Sequence, residues 1–460
     1  MPDLVTLATL VMRELMLFSC VGFLVGSIDE LLIDLVWIGR SVWRRLFVYP
    51  RFEAWTARKL AHRPDAKSFA VFIPAWDEAA VIGPMLDAAK RAYAEDRTHI
   101  FVGCYPNDLP TIEIVCRRED YRLSLVETAT DGPTTKAHCL NQLYGALKKH
   151  EQRSGRLFDG IILHDADDVI SPYEARIFDR LADRFGMIQL PVVPLPDRES
   201  RWISGHYCDE FAESHTKTQI VREALGAALP GAGVGCMIRR DVIEMLAKGS
   251  EGRPFAEASL TEDYELGLRL GAFGVRPAFV RIPDLGPFGI VATQAHFPTS
   301  FTAAVQQKAR WMTGIGLAGW DRLGWGQGWV ENWMRWRDRR GVMAAAILFA
   351  AYLAVLLCSG LLVWSVLTGS RPPQVGPIVT LLLHINAGML LWRLFCRAFF
   401  VTRIYGWREG IRSLPRTLVA NVISIVAARR AVKRYLAMRK RGQVEWDKTS
   451  HKFPSGLEIP

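Results

Sequence analysis

The eight cysteines, at positions 20, 104, 116, 139, 208, 236, 358 and 396, include no C-x-x-C pair and no zinc-type spacing. Most lie in apolar stretches, where cysteine serves as a small buried hydrophobe, and a reducing cytoplasm fits the large middle region. Internal repeats and low-complexity tracts are missing too, which excludes a solenoid or an array. No helix-opening G-x-G-x-x-G follows a first strand, so the dinucleotide fingerprint is absent. The glycines of Pro230-Gly231-Ala232-Gly233-Val234-Gly235 instead permit close backbone approach. The most telling shortage is of charge, because Gly341 to Ser370 contains none. About 20 such residues already cross a hydrocarbon core, so this segment is expected to be a transmembrane helix.

What is plentiful agrees with a membrane. Half of the 460 residues are hydrophobic and 15 are Trp. Residues 377–401 form a second expected span if Arg393 and Arg397 snorkel to the interface. Near the N-terminus, Leu15 to Ile28 is apolar, Asp29 and Glu30 interrupt, and Leu31 to Ile38 resumes. A signal peptide is the rival there, but no basic n-region beyond Arg13 and no clear small-x-small cleavage site support it, so residues 1–40 are read as a retained anchor.

The formal net charge of +10 raises the question of nucleic acid, and its distribution argues against that partner. Arg40, Arg44, Arg45, Arg51, Arg58, Lys59 and Arg63 follow the first apolar segment, whereas Arg403, Arg408, Arg412 and Arg416 follow the last. By the positive-inside rule these loops are cytoplasmic, and three spans with the N-terminus outside satisfy every flank. The basic connector is residues 41–66. Trp320, Trp325, Trp329, Trp333 and Trp336, interleaved with arginines, mark 316–340 as an interfacial amphipathic helix. Leu414 to Ala428, leading into Arg429-Arg430 and Lys433-Arg434, is read as a second interfacial helix within 402–460, with a re-entrant or fourth span as the alternative.

Between 67 and about 315, short apolar runs alternate with helical stretches, the pattern of an α/β, Rossmann-like, mostly parallel sheet. Strands are expected at Phe69 to Pro74, His99 to Cys104, Leu123 to Glu127 and Gly160 to His164, with helices at Ala79 to Glu95 and Lys136 to His150. Right-handed crossovers bring the carboxyl ends of parallel strands to one edge, where a nucleotide binds. Trp76-Asp77-Glu78, Asn107-Asp108, Asp131 and Lys136 fall on that edge. Asp165-Ala166-Asp167 ends the fourth run, and residues two apart in a strand face one way, so both carboxylates are expected together. Taken alone, an Asp-x-Asp is more often a solvated turn. By the same alternation His164 points away, into a structural role.

Two further motifs follow. Thr261-Glu262-Asp263 opens a helix expected over Tyr264 to Phe273, whose dipole helps to ionise Asp263, although a plain N-cap with an acidic first turn fits equally. Gln307-Lys308-Ala309-Arg310-Trp311 follows, just before the Trp-rich stretch.

In this order and spacing, the motifs resemble those of the processive, membrane-embedded family 2 glycosyltransferases, the group of the cellulose, chitin and hyaluronan synthases. Ile73-Pro74-Ala75-Trp76-Asp77-Glu78, Trp446-Asp447-Lys448-Thr449 and His451 look most like the bacterial phage-adsorption protein B branch. Many members of that branch carry a further C-terminal cyclic-dinucleotide-binding domain, which is not expected in the residues up to Pro460. The resemblance implies a GT-A-type domain on the cytoplasmic side of a bacterial inner membrane. It implies that Glu78, Asp108, Lys136 and Asp165 bind the nucleotide sugar and that Asp167 holds Mg2+ or Mn2+. Asp263 would be the base, with Glu262 beside it, and Gln307, Arg310 and Trp311 would hold the pyrophosphate and the acceptor. The expected reaction is metal-dependent, inverting transfer from a UDP-sugar, UDP-N-acetylhexosamine before UDP-glucose, to a growing glycan acceptor. Expected partners are the lipid bilayer and an export component in the periplasm or outer membrane. Two alternatives stay open: transfer of a single sugar to a polyprenyl phosphate, and a catalytically idle membrane scaffold or phage-receptor component.

Overall fold

The computed structural model describes residues 4–441 and Phe453. Trp446 to Thr449 and His451, noted above, lie outside the described residues. The chain begins with helix α1 (Leu4–Trp43), which continues into a π-helical turn at Arg44–Val48. Asp29 and Glu30 do not interrupt α1, for reasons that emerge from its partners below.

The α/β region then runs β1 (Phe69–Pro74), α2 (Ile82–Ala92), β2 (Thr98–Cys104), α3 (Leu109–Cys116), β3 (Leu123–Glu127), α4 (Lys136–Ser154) and β4 (Gly160–Leu163). It continues with α5 (Glu174–Leu181), β5 (Met187–Gln189), β6 (Val192–Pro194), α6 (Ile203–Glu213), α7 (Gln219–Ala224), β7 (Cys236–Arg239), α8 (Arg240–Lys248), α9 (Glu262–Ala272), β8 (Pro277–Phe279) and β9 (Thr293–Ala295). The expected early strands are all present, and α3 is an additional helix that the apolar pattern did not announce. Its start is set by Asp108, whose side chain caps Thr111 N, with proline in the first turn.

Seven strands form one sheet in the order β3-β2-β1-β4-β7-β5-β8, with β7 antiparallel to both neighbours and the other pairings parallel. The central strands read as continuous apolar runs because both faces are covered. Val71, Ile73 and Ile162 pack with α2 and α5 residues on one face, whereas Phe72, Ile161 and Ile238 pack with α4, α8 and α9 residues on the other. A two-strand ribbon, β6-β9, stands beside the sheet. This is the mixed, mostly parallel GT-A-like arrangement, and its order places the end of β4 centrally.

After β9 come α10 (Phe301–Trp311), α11 (Gly319–Leu323), α12 (Trp329–Arg339), α13 (Gly341–Thr368), α14 (Pro377–Tyr405) and α15 (Trp407–Arg441). Residues 316–340 are thus not one helix. Gly324 and Gly328 have φ of +52° and +83°, and the chain turns there between α11 and α12. Among the described residues, four segments are long and apolar enough to cross a membrane: Leu4–Val48, Gly341–Thr368, Pro377–Tyr405 and Trp407–Lys440. The last has another commitment, because Ile423, Ala427 and Ala431 of α15 are buried against Ala304, Val305 and Ala309 of α10 and against Tyr207 of α6. Arg416 of α15 is also buried, 2.8 Å from Asp209 of α6.

The acidic residues of α1 meet cations from far along the chain. Trp333 Nε1 donates to Asp29 at 2.6 Å, Arg340 reaches Asp29 and Glu30 at 2.5 and 2.6 Å, and Arg393 reaches Glu30 at 3.1 Å. A helix can bury carboxylates in its middle when they are paired in this way, which is why α1 stays continuous.

Candidate functional site

One cavity is lined by Glu78, Lys136, Asp165, Asp167, Glu262, Asp263, Gln307, Arg310 and Trp311. Of the residues expected on the sheet edge, Asp77, Asn107, Asp108 and Asp131 are not in its wall.

One end of the cavity is built on the turn after β4. The strand ends at Leu163, so Asp165 and Asp167 sit on a turn and not in the strand itself, a correction to the alternation argument. What holds the turn is His164, which is fully buried with Nδ1 2.9 Å from Asp168 Oδ2 and Nε2 2.8 Å from Glu174 Oε1. Burial alone would lower the imidazole pKa, but the two carboxylates, Glu174 foremost, reverse this and push it up to about 10. Asp168 Oδ2 in turn accepts from Asp165 N at 2.9 Å. His164 therefore has the structural role expected, and Asp168, which sequence reasoning passed over, anchors the turn and reaches the cavity wall. Its signal was the third carboxylate of Asp165-Ala166-Asp167-Asp168.

The loop after β1 supplies Trp76 and Glu78. Asp77 adopts φ +54°, unusual for a residue with a side chain, and its N–H donates to Asp108 Oδ2 at 2.5 Å. Asp108 also accepts from Thr111 N at 3.4 Å. Glu78 N donates to Thr111 Oγ1 at 3.1 Å. Asp108 thus anchors the loop that presents Glu78, because backbone N–H groups occupy the carboxylate expected at the nucleotide.

Lys136 joins the two halves of the site. It opens α4, capped by Thr135, and its Nζ lies 2.5 Å from Asp165 Oδ1 and 3.9 Å from Glu262 Oε1. Burial opposes the charge on Lys136, yet Asp165, Glu262 and Asp263 more than compensate and raise its pKa. Glu262 and Asp263 occupy the first turn of α9, which begins two residues earlier than expected. Burial raises both carboxyls, Asp263 adds repulsion that takes Glu262 to about 7, and Lys136 and Arg310 pull in the opposite direction. Both therefore hold a proton to higher pH than an exposed carboxyl does, the direction that suits a general base.

The glycine segment lies directly beneath this pair. A Cβ at Gly231 would stand 2.8 Å from Asp263 O, and one at Gly233, where φ is +78°, would stand 2.8 Å from Asp263 Oδ2. Gln189 holds the segment, accepting from Ala232 N at 2.9 Å and donating to Val234 O at 2.8 Å. In Gly233→Ala the movable atom is the carboxylate, so the fold persists while Asp263 is displaced. Its turnover is expected to drop about 100-fold, the effect of a misplacement of about 1 Å in a site, and the left-handed backbone, unfavourable for a side chain, lowers the melting temperature modestly. Steady-state kinetics alongside a melt would check this.

At the far end, Gln307, Arg310 and Trp311 share one face of α10 by their i, i+3, i+4 spacing. Lys308 points elsewhere, onto Glu210. Trp311 is packed and available at once. Its ring meets Tyr207 edge-on at 5.9 Å and Phe211 at 6.4 Å, while another part lines the cavity. Phe211 and Phe297, 4.9 Å apart, extend this aromatic wall. No spacing in the sequence marks them, since they come from α6 and from the loop after β9.

A divalent cation is testable against this donor set. Among the described residues no cluster of three or more His, Cys, Asp and Glu could hold an ion alone. Asp165 is paired with Lys136 and Asp168 with His164, and Asp167, 5% exposed, lines the same end of the cavity. A hard oxygen donor of this kind suits Mg2+ or Mn2+, which take most of their ligands from phosphate and water.

Comparison with known proteins agrees with the geometry. Residues 64–314 match the family described as Glycosyltransferase like family 2. The chain is 37% identical over 461 residues to bacteriophage adsorption protein B of Escherichia coli strain K12, and equally to bacteriophage N4 adsorption protein B of Escherichia coli O157:H7. The alignments cover 94% of this chain, which spans about 61% of the length of those relatives. Among solved structures, the mannosyltransferase PcManGT from Pyrobaculum calidifontis, in complex with GDP-Man and Mn2+, has a TM-score of 0.53 at 16% identity, covering 91% of this chain and 99% of that one. That likeness concerns the fold, whereas the family match takes in the whole α/β sheet and the carboxylate, lysine and α10 residues of its cavity, so the chain belongs to glycosyltransferase like family 2.

Proposed function

We propose that the protein is an inverting, membrane-embedded hexosyltransferase that elongates an exported bacterial polysaccharide from a UDP-sugar, UDP-N-acetylhexosamine being the favoured donor. The observation that carries this reading is the continuity of one cavity, from the Asp165–Lys136 pair, past Glu262 and Asp263, to Trp311 on a helix packed against α15.

The chemistry follows from the lining residues. Glu78 and Asp165 bind the nucleotide sugar. An acceptor hydroxyl, seated against Trp311 and Phe297, attacks the anomeric carbon from the side opposite the diphosphate. The new C–O bond forms as the bond to the phosphate oxygen breaks, and Asp263 takes the hydroxyl proton. Arg310 and Lys136 carry positive charge to the departing diphosphate, and the Arg310 guanidinium offers a planar fork suited to phosphate oxygens. Asp167 would hold a divalent cation, which when bound neutralises charge on that diphosphate.

The arrangement in the membrane belongs to the same proposal. The GT-A domain, residues 67–315, lies on the cytoplasmic side of the inner membrane with the basic connector 41–66, and residues 1–40, 341–370 and 377–401 span. The arginines after α1 and α14 support this orientation. We read α15 as a surface helix because one apolar face is occupied by α10 and α6 while Leu418, Val422 and Leu436 on another stand exposed. Export of the product needs a periplasmic or outer-membrane partner.

The test is turnover of a donor panel by the detergent-solubilised chain, with GDP-mannose included because the PcManGT neighbour binds it. Release of UDP with a lengthening glycan supports the proposal. A single sugar on a polyprenyl phosphate, or no turnover of any donor, sinks it. With the right donor in hand, Asp167→Asn is expected to raise the Mn2+ concentration needed for half-maximal rate at least tenfold, which a metal titration would read.

A further inference from the structure

Helix α12 touches both the membrane helix α1 and the helix that carries the acidic pair. On one side, Trp333 Nε1 donates to Asp29, and Arg337 Nη2 reaches Glu30 Oε1 at 2.9 Å. On the other, Asp338 accepts two hydrogen bonds from Arg222 Nη1, at 2.9 and 2.8 Å, and one from Tyr264 Oη at 2.9 Å. Tyr264 is the residue after Asp263, and its own N–H donates to Asp263 Oδ1 at 2.8 Å. Glu331, also on α12, accepts from Ala228 N at 2.9 Å, just before the glycine segment that runs under Asp263. Arg222 Nε closes the circuit by donating to Ala228 O at 2.6 Å. Neither Asp338 nor the Tyr264 hydroxyl lines the cavity.

We propose that Asp338 is a positioning residue for the Glu262–Asp263 pair, acting through the Tyr264 hydroxyl, and that α12 thereby couples the seating of α1 to the alignment of the base. The physical basis is rigidity. Arg222, itself buried, holds both oxygens of Asp338 from Nη1 while its Nε is fixed on Ala228 O, and a tyrosine bonded to that carboxylate fixes the first turn of α9 about the helix axis. A shift of α1 reaches the same turn through Asp29, Glu30 and the arginines of α12. The inference rests on the reading of Asp263 as the base.

The experiment uses the full chain in nanodiscs, comparing wild type with Tyr264→Phe, Asp338→Asn, Trp333→Phe and Asp263→Asn. Tyr264→Phe removes one oxygen and leaves the Arg222–Asp338 pair in place, so it remains informative even where Asp338→Asn fails to fold. The expected result is a tenfold or greater fall in kcat for Tyr264→Phe, with KM for the donor within twofold of wild type and the acid limb of the pH profile moved. Trp333→Phe is expected to lower kcat in the same direction, about threefold. Wild-type kcat and pH profile in Tyr264→Phe would overturn the proposal, as would a loss that merely follows the fraction of folded protein. If Asp263→Asn retains full activity, the base assignment itself has failed. If Asp263→Asn is inactive and Tyr264→Phe is normal, the coupling has failed and the base assignment stands.

Discussion

Asp263→Asn is expected to reduce sugar transfer by about 100- to 10,000-fold, the usual contribution of a positioned base. The amide keeps the acceptor oxygen for Tyr264 N, so the helix start survives and the melting temperature should hold. The pH dependence gives a second readout. Both carboxyls of the pair are raised by burial, and Glu262 is taken to about 7, so the pair keeps a proton to higher pH than a solvent carboxylate would. The basic form is lost as pH falls, and kcat/KM should therefore decline on the acid side, with its acid limb above the range of an exposed carboxylate. Lys136 pulls the pair down, so Lys136→Gln should move that limb to still higher pH. Initial rates of UDP release between pH 5 and 9 would decide, and a flat profile or an active Asn variant would remove Asp263 from its role.

Lys217→Met is expected to be the most destabilising of the changes considered. Lys217 lies in the π-helical turn Ser214–Thr218, is 0% exposed, and places Nζ 2.5 Å from Asp34 Oδ1 and 2.7 Å from Glu213 Oε1. Glu213 keeps Arg393 at 2.9 Å when the lysine is lost, but the hydrogen-bonding neighbours that Asp34 keeps, such as Trp392 Nε1 at 2.8 Å, are neutral. Breaking a buried pair and leaving one charge behind costs about 3–5 kcal/mol. A thermal melt in detergent should show a clear drop, and Lys217→Met combined with Asp34→Leu should recover a large part of it. Equal melting temperatures for wild type and the single variant would mean that water reaches Asp34.

Both predictions depend on parts of the molecule that differ in how far they could be read in advance. Strands β1 to β4 were legible because each is a short apolar run bounded by turn residues, and the sheet edge followed from their parallel crossovers. The i, i+3, i+4 spacing of Gln307, Arg310 and Trp311 likewise places them on one helical face without further information. Asp108 was legible as an edge residue, but its loop-anchoring contacts were not. Its carboxylate is taken up by the N–H of Asp77, 31 residues earlier, a contact that no local pattern encodes. The alternation argument for Asp165 and Asp167 reached the right edge by an inexact route, since the strand ends at Leu163 and buried contacts of His164 and Asp168 shape the turn.

The acidic residues of α1 make the same point at longer range. Within their own helix Asp29, Glu30 and Asp34 look like a break in an apolar segment. Their partners are 183 residues away at Lys217 and 304 away at Trp333, so their tolerance inside a continuous helix is a property of packing. By itself, the sequence determined the order of the chemical motifs, the strands and helices that carry them, and the apolar segments beside them, because periodicity and spacing act within a few turns of chain. The tertiary structure alone decided that Lys136 joins Asp165 to Glu262, that Gly233 leaves room for Asp263, and that α12 ties α9 to α1. Those contacts depend on distances of a few ångströms between segments far apart in the chain, which only the packed fold specifies.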